Sequence, residues 1–207
     1  MRAVSRLLLG LMALLLLPAV SMSARPVLWP DDMTLGNPKA KVVVVEYASL
    51  ACPHCATFHN SVFPAFREKF VDSGKVRFVY REFITAPAQV AVASAIVARC
   101  AGKDGYFKVI DGVFAAQQEI YRVGTMAGLR AVLVREGGKA GVSQEKVEAC
   151  LADQALYDAM DIRVKRGVEE DKVRGTPTFF VNGVEVAPPP GGEMDLATLE
   201  AAIKAAK

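Results

Sequence analysis

The order of apolar and polar positions divides the chain into segments of different period. Leu7 to Leu17 is an almost unbroken apolar run behind Arg2 and Arg6, and small residues follow at Ala19, Ser21, Ser23 and Ala24. That layout is an export signal with cleavage near Ser21–Ala24. The run falls short of the ~20 residues a spanning helix needs, which argues against its rival, an uncleaved anchor. No cysteine stands near the cleavage region to take a lipid. The expectation is an exported, periplasmic protein with residues 1–24 as signal peptide.

Arg25 to Ala40 has no strong periodicity. Val42 to Val45 is a short β-branched run, suited to a strand buried on both faces. From Cys52 the pattern turns helical. Pro53 is acceptable in a first turn, and Phe58, Phe63, Phe66 and Phe70 supply an apolar side interrupted near Pro64. Val76, Phe78 and Tyr80 then alternate with Arg77, Val79 and Arg81, the pattern of a half-buried strand.

Residues 88–173 read as mainly helical. An Ala-rich segment ends near Gly102, a second helix follows from Tyr106, and a third is expected to stop at Gly137–Gly138. Ser143 can cap a helix running through Cys150, and Leu156, Met160, Val164 and Val168 form the stripe of another. Beyond this block, Phe179–Val181 and Val184–Val186 flank Asn182–Gly183, a strong hairpin signal. A Pro/Gly loop from Pro188 to Gly192 leads to a last helix with Leu196, Leu199 and Ile203 on its apolar side. Removing the helical block leaves strand–helix–strand, then hairpin and helix. The expected fold is α/β, with a discontinuous sheet domain at 25–85 and 174–207 and an all-helical insertion at 86–173.

Composition narrows the function. Cleavage at residue 24 leaves about 183 of the 207 residues, enough for one compact domain. The formal charge of +3 loses Arg2 and Arg6, so the remainder is nearly neutral, without the basic face that nucleic acid requires. Four cysteines remain: Cys52, Cys55, Cys100 and Cys150. An even number in an exported chain favours disulfides, and four sulfurs allow three connectivities.

The Cys52–Pro53–His54–Cys55 motif lies where the buried strand hands over to a helix. A helix N-terminus offers unpaired N–H groups and roughly half a positive charge, so it stabilises a thiolate on Cys52. His54 can add a positive charge or a hydrogen bond. Cysteines so placed have pKa values lowered to about 3.5–7.5 from about 8.5. Stabilising the reduced, ionised form makes the disulfide form a stronger oxidant.

The CPHC motif after "VVVVEYASLA", with "GTPTFFVNG" far downstream, resembles the thioredoxin superfamily. More closely it resembles the DsbA-like thiol-disulfide oxidoreductases, which carry a helical domain inserted in the thioredoxin fold. The resemblance covers nearly the whole chain after the signal. It implies that Cys52 is the exposed nucleophile and Cys55 the partly buried resolving cysteine. Pro177 matches the family's cis proline, which with Thr176 borders the substrate, and Glu46 matches a buried acid that relays a proton to or from the second sulfur. An acid on so apolar a strand is costly unless it is functional or paired. His59, by contrast, reads as a helix-surface or packing residue.

The resemblance further implies reduced exported proteins as substrates and a quinone-linked membrane reoxidase of the DsbB type; a monomer with no cofactor and no metal is expected. The Pro–His pair is similar to that of oxidising members. Thr176 occurs in isomerase-like relatives, so a reductase or isomerase kept reduced stays open as an alternative. The isomerases of the DsbC type have a separate N-terminal dimerisation domain, for which Arg25–Ala40 is too short. A different class, a zinc or copper module, could draw on Cys52, Cys55 and His59 or His54, but no second cysteine pair completes the ligand set. Some DsbA-like relatives carry an extra bridge in the helical domain. Cys100 and Cys150, each near an expected helix end, are therefore read as a structural disulfide. Their rival reading is a pair of buried free thiols.

Overall fold

The computed structural model describes residues 28–206, so the proposed signal peptide lies outside the described residues. Its elements run β1 (Met33–Gly36), β2 (Val42–Ala48), α1 (Pro53–Ser61), α2 (Phe63–Phe66), a π-helical turn (Arg67–Asp72) and β3 (Val76–Glu82). Five helices follow: α3 (Ala88–Cys100), α4 (Gly102–Val123), α5 (Met126–Lys139), α6 (Gln144–Leu151) and α7 (Gln154–Glu169). The chain closes with β4 (Thr178–Val181), β5 (Val184–Val186) and α8 (Leu196–Ala205). Five strands form one sheet in the order β1-β3-β2-β4-β5. Only β2 and β3 are parallel, joined by the α1 crossover; the other neighbours are antiparallel. This is a thioredoxin fold, and α3–α7 form its all-helical insertion between β3 and β4.

Every residue of β2 is buried. Val42, Val44 and Ala48 point into the main core, while Val43, Val45 and Tyr47 point into a smaller core with Trp29, Val79, Val173 and Phe180. The period of two in strand side chains therefore serves two cores, which is why the sequence shows a continuous apolar run.

Several sequence expectations change. β3 is not half-buried: it lies between β1 and β2, and the second core covers its other face. Arg81 is buried there, paired with Asp32 and Asp171 at 2.8 Å each and stacked 3.6 Å from the Trp29 ring centre. The arm before β2, which has no periodicity, supplies β1 because four residues at a sheet edge need little pattern of their own. α5 runs through Gly137–Gly138 to Lys139. Gly137 is needed there for close packing: a Cβ on it would stand 3.0 Å from Val147 Cγ2 on α6. In α7, Met160 is buried and Leu156 and Val164 pack on the core, but Val168 is 45% exposed because the end of the helix turns Gly167, not Val168, onto Tyr47. The hairpin turns on Asn182 and Gly183, both at positive φ (48° and 82°), the backbone that Asn-Gly tolerates best.

The helical block is fastened to the sheet by charge. Glu82, buried at the end of β3, receives hydrogen bonds from Arg99 of α3 and, at 2.8 Å, from the Tyr106 hydroxyl of α4. Cys100 and Cys150 form a disulfide between the ends of α3 and α6.

Candidate active site

Cys52 is the N-cap of α1, with extended backbone, and Pro53 occupies the first helical position. Proline gives up an N–H that would have had no intrahelical partner anyway. Cys55 lies one turn in and is fully buried. The segment before Cys52 is held from two sides. The Cys52 N–H donates to the Ser49 carbonyl at 2.9 Å. From α4, the Gln117 amide donates to the carbonyls of Leu50 (3.0 Å) and Cys52 (3.1 Å), and the Tyr121 hydroxyl donates to Ala51. Gln117 and Tyr121 stand one turn apart on α4, so the inserted helical block grips the segment that carries Cys52. Sequence reasoning missed both. Their signal was two polar groups at i, i+4 beside the apolar face of α4, a pattern indistinguishable from a helix edge until its partner is known.

Cys52 is less open than the expected exposed nucleophile. It is only 6% exposed, because α4 pins its loop and the Thr176 segment packs against its sulfur. Its Sγ lies 3.4 Å from the Thr176 carbonyl oxygen, next to the cis Thr176–Pro177 peptide. Both cysteines of the pair are free thiols.

The two sulfurs have opposite acidities. The Cys52 thiol is lowered to about 5 from 9.0, chiefly by the hydrogen bond from Cys55, then by the Thr176 side chain and by the backbone N–H groups of Cys55 and His54; burial opposes the shift. Cys55 is pushed far up, first by burial, then by its hydrogen bond to Cys52 and by the charges of Glu46 and Cys52. The pair is built to hold one proton on Cys55 and one negative charge on Cys52.

The His54 imidazole turns outward, and its Nδ1 meets Glu193 Oε1 at 2.8 Å. Its proton affinity is raised by that hydrogen bond first, and also by the Cys52 charge. Glu193, another residue that sequence reasoning missed, sits in the loop before α8 and has no motif to reveal it. A cavity of about 350 Å3 opens between His54 and the Thr176–Pro177 segment, lined also by Phe58, Glu193 and Met194 among others.

Glu46 on β2 is fully buried. Its Oε2 lies 2.9 Å from His59 Nε2, and His59 is itself buried, stacked on Phe114 with ring centres 4.3 Å apart. Of the two readings of His59, packing holds: it is buried between the sheet and α4, and it is also a partner of Glu46. Among the described residues no group of three or more His, Cys, Asp or Glu is placed to hold a metal ion.

The family model described as Thioredoxin matches residues 29–205. The chain belongs to the thioredoxin family. Among curated relatives, a Rickettsia bellii protein named as a protein-disulfide oxidoreductase is 36% identical over 155 residues, 75% of this chain and 58% of that protein. This thioredoxin-family chain therefore spans less than two thirds of the length of the first curated relatives it matches. Among solved structures, Wolbachia pipientis alpha-DsbA1 superposes with a TM-score of 0.72 at 26% identity, covering 86% of this chain and 91% of that one. BdbD from Bacillus subtilis shares the fold at a TM-score of 0.72 and 18% identity, covering 84% and 92%. Within the thioredoxin family the chain is DsbA-like.

Proposed function

We propose that this chain is an exported, periplasmic thiol-disulfide oxidoreductase that donates the Cys52–Cys55 disulfide to reduced exported proteins. The observation that carries the reading is the opposed acidity of the two sulfurs, with Cys52 lowered to about 5 and Cys55 raised. A thiolate so stabilised is a good leaving group and favours the reduced enzyme over the disulfide. The names of the relatives support the same class of chemistry.

A substrate thiolate attacks the Cys52 sulfur; a substrate–Cys52 bond forms, the Cys52–Cys55 bond breaks, and the electron pair goes to Cys55, which takes up a proton. A second substrate thiolate then attacks the substrate sulfur of the mixed disulfide. Cys52 leaves as the thiolate, the substrate is oxidised by two electrons, and the enzyme is reduced by two. In this reading the substrate lies along Thr176 and Pro177 at the cavity they line. A membrane quinone-linked reoxidase of the DsbB type restores the disulfide. The sheet domain spans 25–85 and 174–207 and the insertion 86–173, an assignment supported by the position of α3–α7 between β3 and β4. Among the described residues no helix is long and apolar enough to cross a membrane.

The test is equilibration of the Cys52–Cys55 pair against glutathione. A potential well above thioredoxin's is expected. One as low as thioredoxin's reverses the direction and makes the chain a reductant.

A further inference from the structure

Three consecutive carbonyls at the active site accept hydrogen bonds from one helix of the insertion. The Gln117 amide donates to Leu50 at 3.0 Å and to Cys52 at 3.1 Å, and the Tyr121 hydroxyl donates to Ala51 between them. Gln117 is buried on a helix whose neighbouring positions Val113, Phe114 and Ile120 belong to the apolar core. A buried amide is costly unless its hydrogen bonds are made. Here both of its N–H groups go to the segment that carries the reactive sulfur. Ser49 holds the other side of that segment: its hydroxyl accepts from the Ala51 N–H at 3.2 Å and from the Thr85 hydroxyl at 2.9 Å.

This clamp bears on the chemistry because of where the sulfur hangs. Cys52 stands just ahead of the first turn of α1. The groups that favour its thiolate stand elsewhere: the Cys55 thiol and the N–H groups of His54 and Cys55 on α1, and Thr176 before β4. Hydrogen bonds weaken steeply as alignment is lost, so a small swing of the Cys52 backbone takes the sulfur out of that set. The same helix also holds the donors in place. Phe114, Gln117 and Tyr121 form one stripe of α4, and the Phe114 carbonyl accepts from Asn60 of α1 at 3.2 Å.

We propose that Gln117 and Tyr121 are positioning residues for the disulfide exchange: acting through the carbonyls of Leu50, Ala51 and Cys52, they hold the Cys52 sulfur among its hydrogen-bond donors. The inference rests on the oxidoreductase reading and goes beyond it, because it gives the inserted helical block a part in the chemistry. When the second substrate thiolate attacks the mixed disulfide, the substrate disulfide forms and the electron pair of the breaking bond stays on the Cys52 sulfur. The closer that sulfur is kept to its donors, the better it leaves.

The experiment is a graded series of variants, read by ultraviolet thiolate titration of the reduced chain and by the glutathione equilibrium of Cys52–Cys55. Tyr121→Phe keeps the ring and removes one of the three hydrogen bonds, Gln117→Leu removes two, and the double variant removes all three. The Cys52 pKa is expected to rise in that order: by a few tenths of a unit, by about one unit, and by more than either single change. A rise of about one unit is a tenfold loss of thiolate stabilisation, so the glutathione equilibrium should move about tenfold toward the disulfide. Cys55, His54 and Tyr121 are the titratable groups whose charge interacts with Cys52, and Gln117→Leu leaves all three in place. Ile120→Val is the structural control. It loosens the packing of α4 without touching the carbonyls, so stability in urea should fall while the Cys52 pKa stays where it was.

A folded Gln117→Leu chain with the wild-type pKa and equilibrium overturns the proposal. So does an Ile120→Val chain whose pKa rises as far. If Gln117→Leu does not fold, a wild-type pKa in Tyr121→Phe overturns it instead. An oxidising potential in the unmodified chain, with no movement in the variants, would remove the positioning role and leave the function standing. A low potential with the graded rise would keep the positioning role and reverse the direction.

Discussion

The Cys52 sulfur and the Thr176 carbonyl oxygen lie 3.4 Å apart across 124 residues of sequence. The reduced thiol donates to that carbonyl. Among the described residues the Thr176 hydroxyl is buried without a hydrogen-bond partner, and its side chain is among the groups that lower the Cys52 pKa. Thr176→Val keeps the shape and removes the donor. The Cys52 pKa should rise by about one unit, the ~1.4 kcal/mol of one hydrogen bond to a charged group. Ultraviolet thiolate titration checks this, and the glutathione potential should fall in parallel. Stability in urea should stay level or improve, because a buried hydroxyl without a partner is removed.

A pH dependence follows from the same sulfur. Cys52 is lowered in the folded state, from 9.0 to about 5. Its contribution to the stability of the reduced chain is complete above the unfolded value and is lost as pH falls through about 5. The oxidised chain has no such group. Urea midpoints of the reduced chain should therefore drop from neutral to acid pH relative to the oxidised chain. The expected difference is on the order of 1–2 kcal/mol after discounting for solvent screening. Parallel curves for the two redox forms would contradict the lowered thiol.

The disulfide in the helical block predicts an effect of another kind. Cys100 and Cys150 are separated by 50 residues. Closing a loop of that length removes about 4 kcal/mol of unfolded-chain entropy in the simplest account. Replacing both by Ala should lower stability by about 2–4 kcal/mol in denaturant. The glutathione potential of Cys52–Cys55 should stay where it was, since the bridge joins α3 and α6 and neither carries the pair. A shifted potential would mean that the bridge positions Gln117 and Tyr121 through α4.

Local pattern made the outline legible. The β2 run, the CPHC helix start, the Asn182–Gly183 turn and the long helical stretch each announce themselves through short-range chemistry. What the sequence hid was held at long range. β3 looks half-buried because Arg77 and Arg81 are charged, and only the fold shows Arg81 neutralised by Asp32 and Asp171. Gly137–Gly138 reads as a stop, yet the helix runs on to Lys139, and the bare Gly137 is there because α6 packs close to it. The same holds at the site. Cys52 and Cys55 are three positions apart in sequence, but Gln117, Tyr121, Thr176 and Glu193 reach the Ala51–His54 stretch from positions 65 to 139 residues away. His59 reads as a helix-surface or packing residue; packing is what the fold shows, but nothing near it in sequence reveals that Glu46, 13 residues earlier, is its partner.

The last prediction concerns the exposed pair of His54 and Glu193, 2.8 Å apart. The Glu193 hydrogen bond is the main cause of the raised His54 proton affinity, and the Cys52 charge adds to it. By reciprocity, a protonated His54 favours the Cys52 thiolate. Glu193→Gln removes the main support, so His54 loses its proton at lower pH and the Cys52 pKa should rise. The rise should be a few tenths of a unit, less than for Thr176→Val, because the pair is solvent-exposed and screened. His54→Ala should give a similar small rise, since the backbone N–H of residue 54 still reaches the sulfur. The sign can also be read from the histidine side. A raised folded pKa gives stability that is present below the unfolded value of 6.5 and lost as pH rises through the folded one. His54 ring resonances should titrate at higher pH in the reduced chain, where Cys52 is an anion, than in the oxidised one. High salt should bring the two curves together. Coincident curves at low salt would show that the His54 side chain does not act on Cys52, leaving thiolate stabilisation to the Cys55 thiol, Thr176 and the backbone.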